Sequence, residues 1–354
     1  MADFRSDNVT GAAPEILEAL VRANEGSESS YGDDAITQRV EARLAEIFET
    51  ELAAFPVATG TAANVLGLAP LIPPYGALYC HGEAHINVDE CGAPEFYSGG
   101  AKLVALEGAH GKLAPETLEA AITGAGVVHH AQPAAVSVSQ ATESGAVYSL
   151  SELAALSEVG RRHGLVLHMD GARFANALVS QGCSPAEATW KAGIQVMAFG
   201  ATKNGALAAE AVIFFDPALA RDFAYRRKRG GHLFSKMRFI SAQLEAYLAD
   251  DLWLRNARQA NAMARRLAEG LAAMPGVSLA HPVEANQLFV RLPDAVSAGL
   301  TRAGFGFYPW EADGPGTFRL VTAFKTTGAE VDGFLDTARR LAGAEADEGA
   351  LANA

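Results

Sequence analysis

The chain has few cysteines, no long apolar segment and no recognisable targeting signal. Its three cysteines are Cys80, Cys91 and Cys183, and no pair has the Cys-x-x-Cys spacing. An odd number without that spacing argues against a disulfide framework and against a thiolate zinc site. No stretch approaches the roughly 20 apolar residues of a membrane-spanning helix, and the first residues lack the apolar core of a signal peptide. We therefore expect a cytoplasmic protein with no membrane partner.

The chain also has fewer basic residues than acidic ones. The chain has 28 Lys and Arg against 41 Asp and Glu, which gives a formal net charge of −13. This balance argues against nucleic acid as a partner. The nine histidines are scattered and form no His-Glu-x-x-His motif, so we expect no catalytic metal. No Gly-x-Gly-x-x-Gly follows an early strand, which argues against a nicotinamide dehydrogenase.

Apolar residues are abundant, at 49% of the chain, and many form short runs that alternate with helical segments. This alternation predicts an α/β domain with a mainly parallel sheet flanked by helices. Shorter elements after Pro275-Gly276 indicate a smaller α+β domain. We expect a strand at 127–130 and a long helical region at 239–274. The predicted organisation is an N-terminal arm at 1–13, a large domain at 14–245, a small C-terminal domain at 246–345 and a flexible tail at 346–354.

Two apolar runs end in charged residues. One run, Val196–Gly200, leads to Lys203, and another, Leu165–Met169, leads to Asp170. The carboxyl ends of neighbouring parallel strands form the ligand-binding edge of a sheet. A lysine there can hold pyridoxal 5′-phosphate (PLP) as a Schiff base while an aspartate pairs with the protonated pyridine nitrogen. Each residue also has an ordinary interpretation, a solvated loop lysine and a turn-forming aspartate.

Two further stretches suit a phosphate group. Thr59-Gly60-Thr61 joins a strand to a helix, where free backbone N–H groups and the positive end of the helix dipole favour an anion. A simple helix cap is the alternative. The dense basic cluster Tyr225–His232 is either an anion site or a solvated helix end.

Taken in order, these motifs resemble the threonine aldolase family of fold-type-I PLP enzymes. The matching segments are Phe4–Asn8, Tyr31–Asp34, Thr59–Asn64, His85, His168–Arg173, the turn at Lys203 and Phe318–Thr322. The resemblance implies retro-aldol cleavage of L-β-hydroxy-α-amino acids, such as L-threonine, L-allo-threonine and L-phenylserine, to glycine and an aldehyde. It also implies a homo-oligomer, a dimer or a tetramer, with active sites at subunit interfaces. The Thr202–Gly205 turn differs from the commoner family form, in which Ser-Lys is followed by Gly-Leu-Gly.

The resemblance also assigns roles to individual residues. The substrate must be held so that the bond to be broken stands perpendicular to the cofactor ring, which requires a fixed carboxylate. The implied cofactor-binding residues are Lys203, Asp170, Gly60, Thr61, His85, Arg173 and Arg229. The resemblance allows Arg229 to come from the same subunit or from a neighbouring one. The implied substrate-binding residues are Ser6, Arg173 and Arg319.

The base that takes the proton of the β-hydroxyl is left open. Histidine suits the task because its pKa lies near neutrality, and the candidates are His85 and one of His129 and His130. Strand register decides which of the adjacent pair faces inward. Tyr31 is a further candidate, contributed across a dimer interface. The competing interpretations are another PLP-dependent lyase or aminotransferase on the same fold, and a catalytically inactive PLP-fold binding protein.

Overall fold

The larger of two β-sheets forms the centre of the molecule. A computed structural model of the chain describes residues 2–352, with side-chain surroundings as far as Gly343. The strands of this sheet are β1 Ala53–Val57, β2 Gly76–His81, β3 Lys102–Leu106, β4 Gln132–Ser139, β5 Val166–Gly171, β6 Val196–Gly200 and β7 Glu210–Phe214. Their order is β1-β7-β6-β5-β4-β2-β3, and only β7 runs opposite to the others. The carboxyl ends of the six parallel strands therefore share one edge.

Thirteen α-helices lie within the described residues. They are α1 Pro14–Ala23, α2 Ala35–Phe48, α3 Gly60–Leu68, α4 His85–Val88, α5 Ala93–Ser98, α6 Pro115–Ala121, α7 Leu150–His163, α8 Phe174–Gln181, α9 Phe223–Arg229, α10 Arg238–Leu248, α11 Leu252–Ala272, α12 Asp294–Arg302 and α13 Gly328–Ala352. Local chemistry sets several of their ends. Ser149 and Glu152 form a capping box at the start of α7, and Gly164 ends that helix in the left-handed conformation. No helix in the described part of the chain is long and apolar enough to cross a membrane.

The second sheet is small and antiparallel. Its strands are β8 Ser278–Leu279, β9 Gln287–Arg291, β10 Tyr308–Pro309 and β11 Thr317–Val321, in the order β10-β11-β9-β8. The N-terminal arm packs into its core, where the Phe4 ring is fully buried against Phe334. The backbone of Phe4 bonds to that of Gly306 and of Val321. The arm thus runs from the small core toward the edge of the large sheet.

The predicted α/β architecture, with a mainly parallel sheet and a smaller C-terminal unit, is confirmed. The predicted strand at 127–130 is wrong. These residues form a turn, because the Gln132 side chain accepts from Gly126 N and donates to the carbonyl groups of Gly124, Val127 and His130. A side chain that bonds to this many backbone groups competes with strand formation.

The helical region predicted at 239–274 consists of two helices, α10 and α11. Asp250 and Asp251 adopt left-handed backbone angles and separate α10 from α11. The predicted flexible tail is helical as far as Ala352, and its last two residues lie outside the described residues. The domain boundaries stay predictions.

Candidate active site

A cavity of about 360 Å³ lies at the carboxyl edge of the large sheet. Asp170 enters it from the end of β5, Lys203 from the turn after β6, and Gly60 from the first turn of α3. The lining residues are Asn8, Ala58, Thr59, Gly60, Thr61, Asn64, His85, Glu143, Asp170, Ala172, Thr202, Lys203, Ala208 and Glu210. The sheet topology therefore brings together the lysine and the aspartate that the sequence analysis singled out.

The turn that carries Lys203 is anchored by its neighbour Asn204. The buried amide of Asn204 donates to Tyr247 Oη at 2.7 Å and to the carbonyl oxygen of Trp253 at 2.8 Å. Gly205 follows at φ 123°, and a Cβ there would lie 2.7 Å from the Asn256 side chain. Asn204 thus bonds the turn to α10 and α11. Gly205 allows the backbone to leave the turn at a positive φ and close to Asn256.

The carboxylate of Asp170 is held from two sides. Its Oδ2 accepts from Asn64 Nδ2 at 2.8 Å, and its Oδ1 accepts from the backbone N–H of Ala172 at 3.0 Å. Asp170 is 6% exposed, so its charge is largely removed from water. A fixed, buried carboxylate of this kind suits a charge-assisted bond to a protonated ring nitrogen.

The start of α3 offers unpaired amides to the cavity. The Thr59 side chain accepts from Ala62 N, which leaves the amides of Gly60 and Thr61 in the first helical turn without intrahelical partners. A Cβ at Gly60 would meet no atom of the chain within 4 Å. The helix start therefore has both the donors and the room for a phosphate.

His85 lines the same cavity and is paired with a buried carboxylate. Its Nδ1 lies 2.8 Å from Oε1 of Glu90, whose side chain is 0% exposed. The hydrogen bond to Glu90 raises the pKa of His85, and burial of the ring opposes this increase. The pair therefore favours the protonated ring more than an isolated histidine would.

The two predicted carboxylate-binding arginines differ in their surroundings. Arg173 donates from Nε and from an Nη nitrogen to Asp7, at 2.8 and 3.0 Å, with both side chains buried. Burial alone would raise the pKa of Asp7, but the charges of Arg173 and Lys203 outweigh it and lower the pKa to about 2. Asp7 is thus ionised and neutralises Arg173.

Arg319, by contrast, is half-buried and lies over the Trp310 ring, with its guanidinium carbon 5.5 Å from the ring centroid. Its Nε is buried and has no hydrogen-bond partner within the described residues. Burial, reinforced by the charge of Arg173, lowers the pKa of Arg319. It is a desolvated cation that forms no ion pair with any described residue.

The structure does not bring His129 and His130 to the cavity. Both are exposed in the turn before β4, whereas the cavity lies beyond the other end of that strand, where Ser139 pairs with Asp170. Seven residue steps of about 3.3 Å separate the two ends of β4 by roughly 23 Å. Neither histidine therefore lines the cavity of its own chain, because the strand begins only at Gln132. Their role as the base stays a prediction.

Five other predicted site residues do not line the cavity of their own chain: Arg173 and Arg319, described above, and Arg229, Tyr31 and Ser6. Arg229 lines a second cavity of about 890 Å³. The exposed Tyr31 ring lies 4.9 Å from Nζ of Lys228. The Ser6 hydroxyl caps the short helical turn at Asp7–Val9 by accepting from Asn8 N. Their predicted roles stay predictions.

Several polar residues of the site are not predicted from the sequence. Asn64 and Glu90 bond to Asp170 and His85, while Asn8, Glu143 and Glu210 line the cavity. Oε2 of Glu210 accepts from Ala201 N at 2.9 Å, and burial raises the pKa of Glu210 to about 7. The sequence offered one indication: Asn64 comes one helical turn after Gly60, so both face the same side of α3.

These donors fit PLP. The cavity combines a lysine amine, a buried carboxylate for the pyridine nitrogen and free helix-start amides for the phosphate, in a volume suited to a small ligand. Among the described residues, no group of three or more His, Cys, Asp or Glu side chains is arranged to hold a metal ion.

Known proteins share both the sequence and the fold. Residues 3–295 match the beta-eliminating lyase family. The low-specificity L-threonine aldolase of Pseudomonas aeruginosa is 46% identical over 315 residues, covering 89% of this chain and 91% of that protein, and the enzyme of a Pseudomonas species is 44% identical over 328 residues, covering 93% and 94%. A solved threonine aldolase from Leishmania major is 30% identical and superposes with a TM-score of 0.90, covering 97% of this chain and 100% of that one. This chain therefore belongs to the low-specificity L-threonine aldolase family, whose cofactor is PLP.

Proposed function

We propose that this protein cleaves L-threonine, L-allo-threonine and related L-β-hydroxy-α-amino acids to glycine and an aldehyde. The observation that carries the proposal is the shared cavity of Lys203 and Asp170, with the free amides of α3 beside them. The curated relatives, which match about nine-tenths of the chain, support the choice of this reaction among those of the fold.

Each cofactor-binding residue has a separate task. PLP, when bound, supplies a conjugated ring that accepts the electrons of the bond to be broken. Lys203 provides the amine that holds it, and Asp170 keeps a proton on the pyridine nitrogen. The amides of Gly60 and Thr61 bind the phosphate.

The substrate carboxylate is bound chiefly by Arg319. Arg173 already donates two bonds to Asp7, so its remaining Nη nitrogen is left to assist, together with the Ser6 hydroxyl. The carboxylate thereby fixes the orientation of the Cα–Cβ bond, which decides between aldol cleavage and the other reactions that the same cofactor supports.

His85 takes the proton from the β-hydroxyl. Its Nδ1 is bonded to Glu90, so Nε2 is the nitrogen left for the substrate. A histidine paired with a carboxylate is both a base and a stabilised acid, and it can return the proton after the bond has broken.

We also propose a homo-oligomer, a dimer or a tetramer, in which the partner subunit completes the site with Arg229 and Tyr31. Among the described residues, no arginine lines the cavity at the start of α3. Arg229 instead lies in the second cavity, beside the exposed rings of Phe96 and Tyr225. Exposed aromatic and arginine side chains are typical of an interface.

The test combines spectroscopy with product analysis. Purified protein should show a visible absorption band of bound cofactor that disappears in Lys203→Ala, and threonine should yield equimolar glycine and acetaldehyde. Pyruvate and ammonia, or a keto acid, would instead establish a different reaction on the same fold. Bound cofactor with no product from threonine or phenylserine would favour an inactive binding protein. The cytoplasmic location, consistent with three free thiols, would be tested by cell fractionation.

A further inference from the structure

A buried hydrogen-bonded chain runs from His85 to Asp170. Oε1 of Glu90 accepts from His85 Nδ1 at 2.8 Å and from Asn64 Nδ2 at 2.9 Å. The same amide nitrogen of Asn64 donates its second hydrogen to Asp170 Oδ2 at 2.8 Å. The amide of Asn64 thus bridges two carboxylates. Glu90 bonds to His85, and Asp170 is the proposed partner of the pyridine nitrogen.

The side chains of this hydrogen-bonded series are buried, except for the ring of His85. Asn64 is 2% exposed, and Glu90 is 4% exposed, whereas the His85 side chain is 31% exposed. Oε2 of Glu90 and Oδ1 of Asn64 are buried without hydrogen-bond partners within the described residues. Burying a carboxylate costs free energy unless the carboxylate is paired and hydrogen-bonded. The bonds of Glu90 connect it to His85 and, through Asn64, to Asp170.

We propose that Glu90 is a positioning residue that fixes the tautomer and orientation of His85 and, through Asn64, holds Asp170 in the same unit. Because Glu90 accepts from Nδ1, the neutral ring carries its proton there and presents the Nε2 lone pair to the cavity. The negative charge of Glu90 then stabilises the imidazolium that forms when Nε2 accepts a proton, as an aspartate does in hydrolase triads. This inference rests on the proposed use of His85 as the base.

Two other carboxylates act on the pKa of His85 in the same direction as Glu90. Asp170 and Glu143 both add to the increase in its pKa that the Glu90 bond produces, while burial opposes it. Burial raises the pKa of Glu90 itself, and its bonds to His85 and Asn64 oppose that increase. Lys203 lines the same cavity as His85. A base must be neutral to act, so activity should be lost as the pH falls through the raised pKa of His85.

The decisive variant is Glu90→Gln, which keeps the shape and an acceptor oxygen but removes the charge. We expect kcat to fall at least about tenfold, the acid limb of the kcat profile to move to lower pH, and KM to change little. Glu119→Gln is the matched control, because Glu119 pairs with His163 at 2.7 Å on the surface. The control should leave both kcat and the acid limb unchanged. An unchanged kcat and acid limb in Glu90→Gln would overturn the proposal.

The link to Asp170 has a readout that is independent of turnover. Asn64→Leu should weaken PLP binding, measured by fluorescence titration, and alter the circular dichroism of the bound cofactor, while His85 keeps its bond to Glu90. Unchanged PLP affinity and circular dichroism would show that Asn64 does not position Asp170.

The wild-type holoenzyme supplies a test that no folding defect can obscure. The ¹⁵N NMR shifts of His85, assigned by comparison with His85→Asn, should show a protonated Nδ1 and an unprotonated Nε2 at high pH. The opposite tautomer would refute the role of Glu90. If wild-type protein forms no glycine, the proposed function fails; if it does and the Glu90→Gln variant matches it, only this inference fails.

Discussion

Asp7 and Arg173 form a buried, two-bonded ion pair between the N-terminal arm and the start of α8. The bonds are 2.8 and 3.0 Å long, and Asn286 donates a further bond to Asp7 at 3.1 Å. The arm residue therefore neutralises one of the two arginines expected at the substrate carboxylate. Arg319 is left as the cation that has no paired anion among the described side chains.

This imbalance predicts separable effects of Arg319→Gln on binding and on stability. A charge-assisted bond contributes about 1.5–3 kcal/mol, so KM for threonine should rise roughly 10- to 150-fold. Arg319 is desolvated and repelled by Arg173, so its removal should leave the melting temperature unchanged or higher. Arg291→Gln, on the neighbouring strand β9 and exposed, should change neither quantity. A normal KM in the Arg319 variant would exclude Arg319 from the carboxylate site.

Asp7→Asn should destabilise the protein in a pH-dependent way. Removing one partner of a buried pair costs about 3–5 kcal/mol at neutral pH. The folded pKa of Asp7, about 2, lies below its ordinary value of 3.8. The stabilisation is therefore complete above pH 4 and is lost as the pH falls toward 2.

Urea unfolding of both proteins measures this effect. The difference in free energy of unfolding should shrink by about 2 kcal/mol between pH 4 and pH 2, since each pKa unit corresponds to about 1.4 kcal/mol. Asp3→Asn breaks the exposed pair with Arg5 and should have little effect at any pH. A pH-independent difference would show that Asp7 is not ionised in the folded state.

The sequence predicted that Lys203 and Asp170 lie close together, because the pattern that indicates each strand end lies within a few residues. Lys203 and Asp170 each close an apolar run, and parallel topology alone brings such ends together. The partner of Arg173, in contrast, lies 166 positions away in a segment without periodicity. Arg173 can be identified from the sequence, but its pairing with Asp7 cannot.

The wrong prediction of a strand at 127–130 has a different cause. Val127 and Val128 have the apolar character of a strand, but positive φ angles at Gly124 and Gly126 and the four bonds of the Gln132 side chain impose a turn. Such side-chain to backbone bonds depend on geometry that residue type alone does not reveal. The same applies to Glu90, which only the fold places against His85.

Gly205→Ala should disturb the turn that carries Lys203. At φ 123° an alanine is strained, and its Cβ would lie 2.7 Å from Asn256 Nδ2, which donates to the Asn204 carbonyl. Gly26→Ala is the control, since its φ is 62° and no atom of the chain lies within 4 Å of the added Cβ. The control should cost about 1–2 kcal/mol.

The Gly205 variant should cost about 1–3 kcal/mol more than this control, because the clash adds to the backbone strain. It should also bind PLP more weakly, as measured by equilibrium titration. Equal effects of the two substitutions would mean that contact with Asn256 does not constrain the turn.

His85→Asn and Glu143→Gln distinguish between two titratable side chains that line the cavity. If His85 is the base, its replacement should lower kcat about 10²- to 10⁴-fold and abolish the acid limb attributed to its raised pKa. Glu143→Gln should keep that limb, shifted slightly to lower pH because one negative charge near His85 is lost. The reverse result would assign the proton transfer to Glu143.

The cross-subunit placement of Arg229 predicts complementation between two inactive variants. Lys203→Ala lacks the amine, and Arg229→Ala should bind the phosphate too weakly for activity at low PLP concentration. In a mixed oligomer, a subunit that retains Lys203 receives Arg229 from its partner, so one complete site forms per mixed pair. Unfolding and refolding the two variants together should therefore restore activity, up to about a quarter of the wild-type level for random dimers. Each variant refolded alone is the control, and a mixture that stays inactive would place Arg229 outside the partner's site.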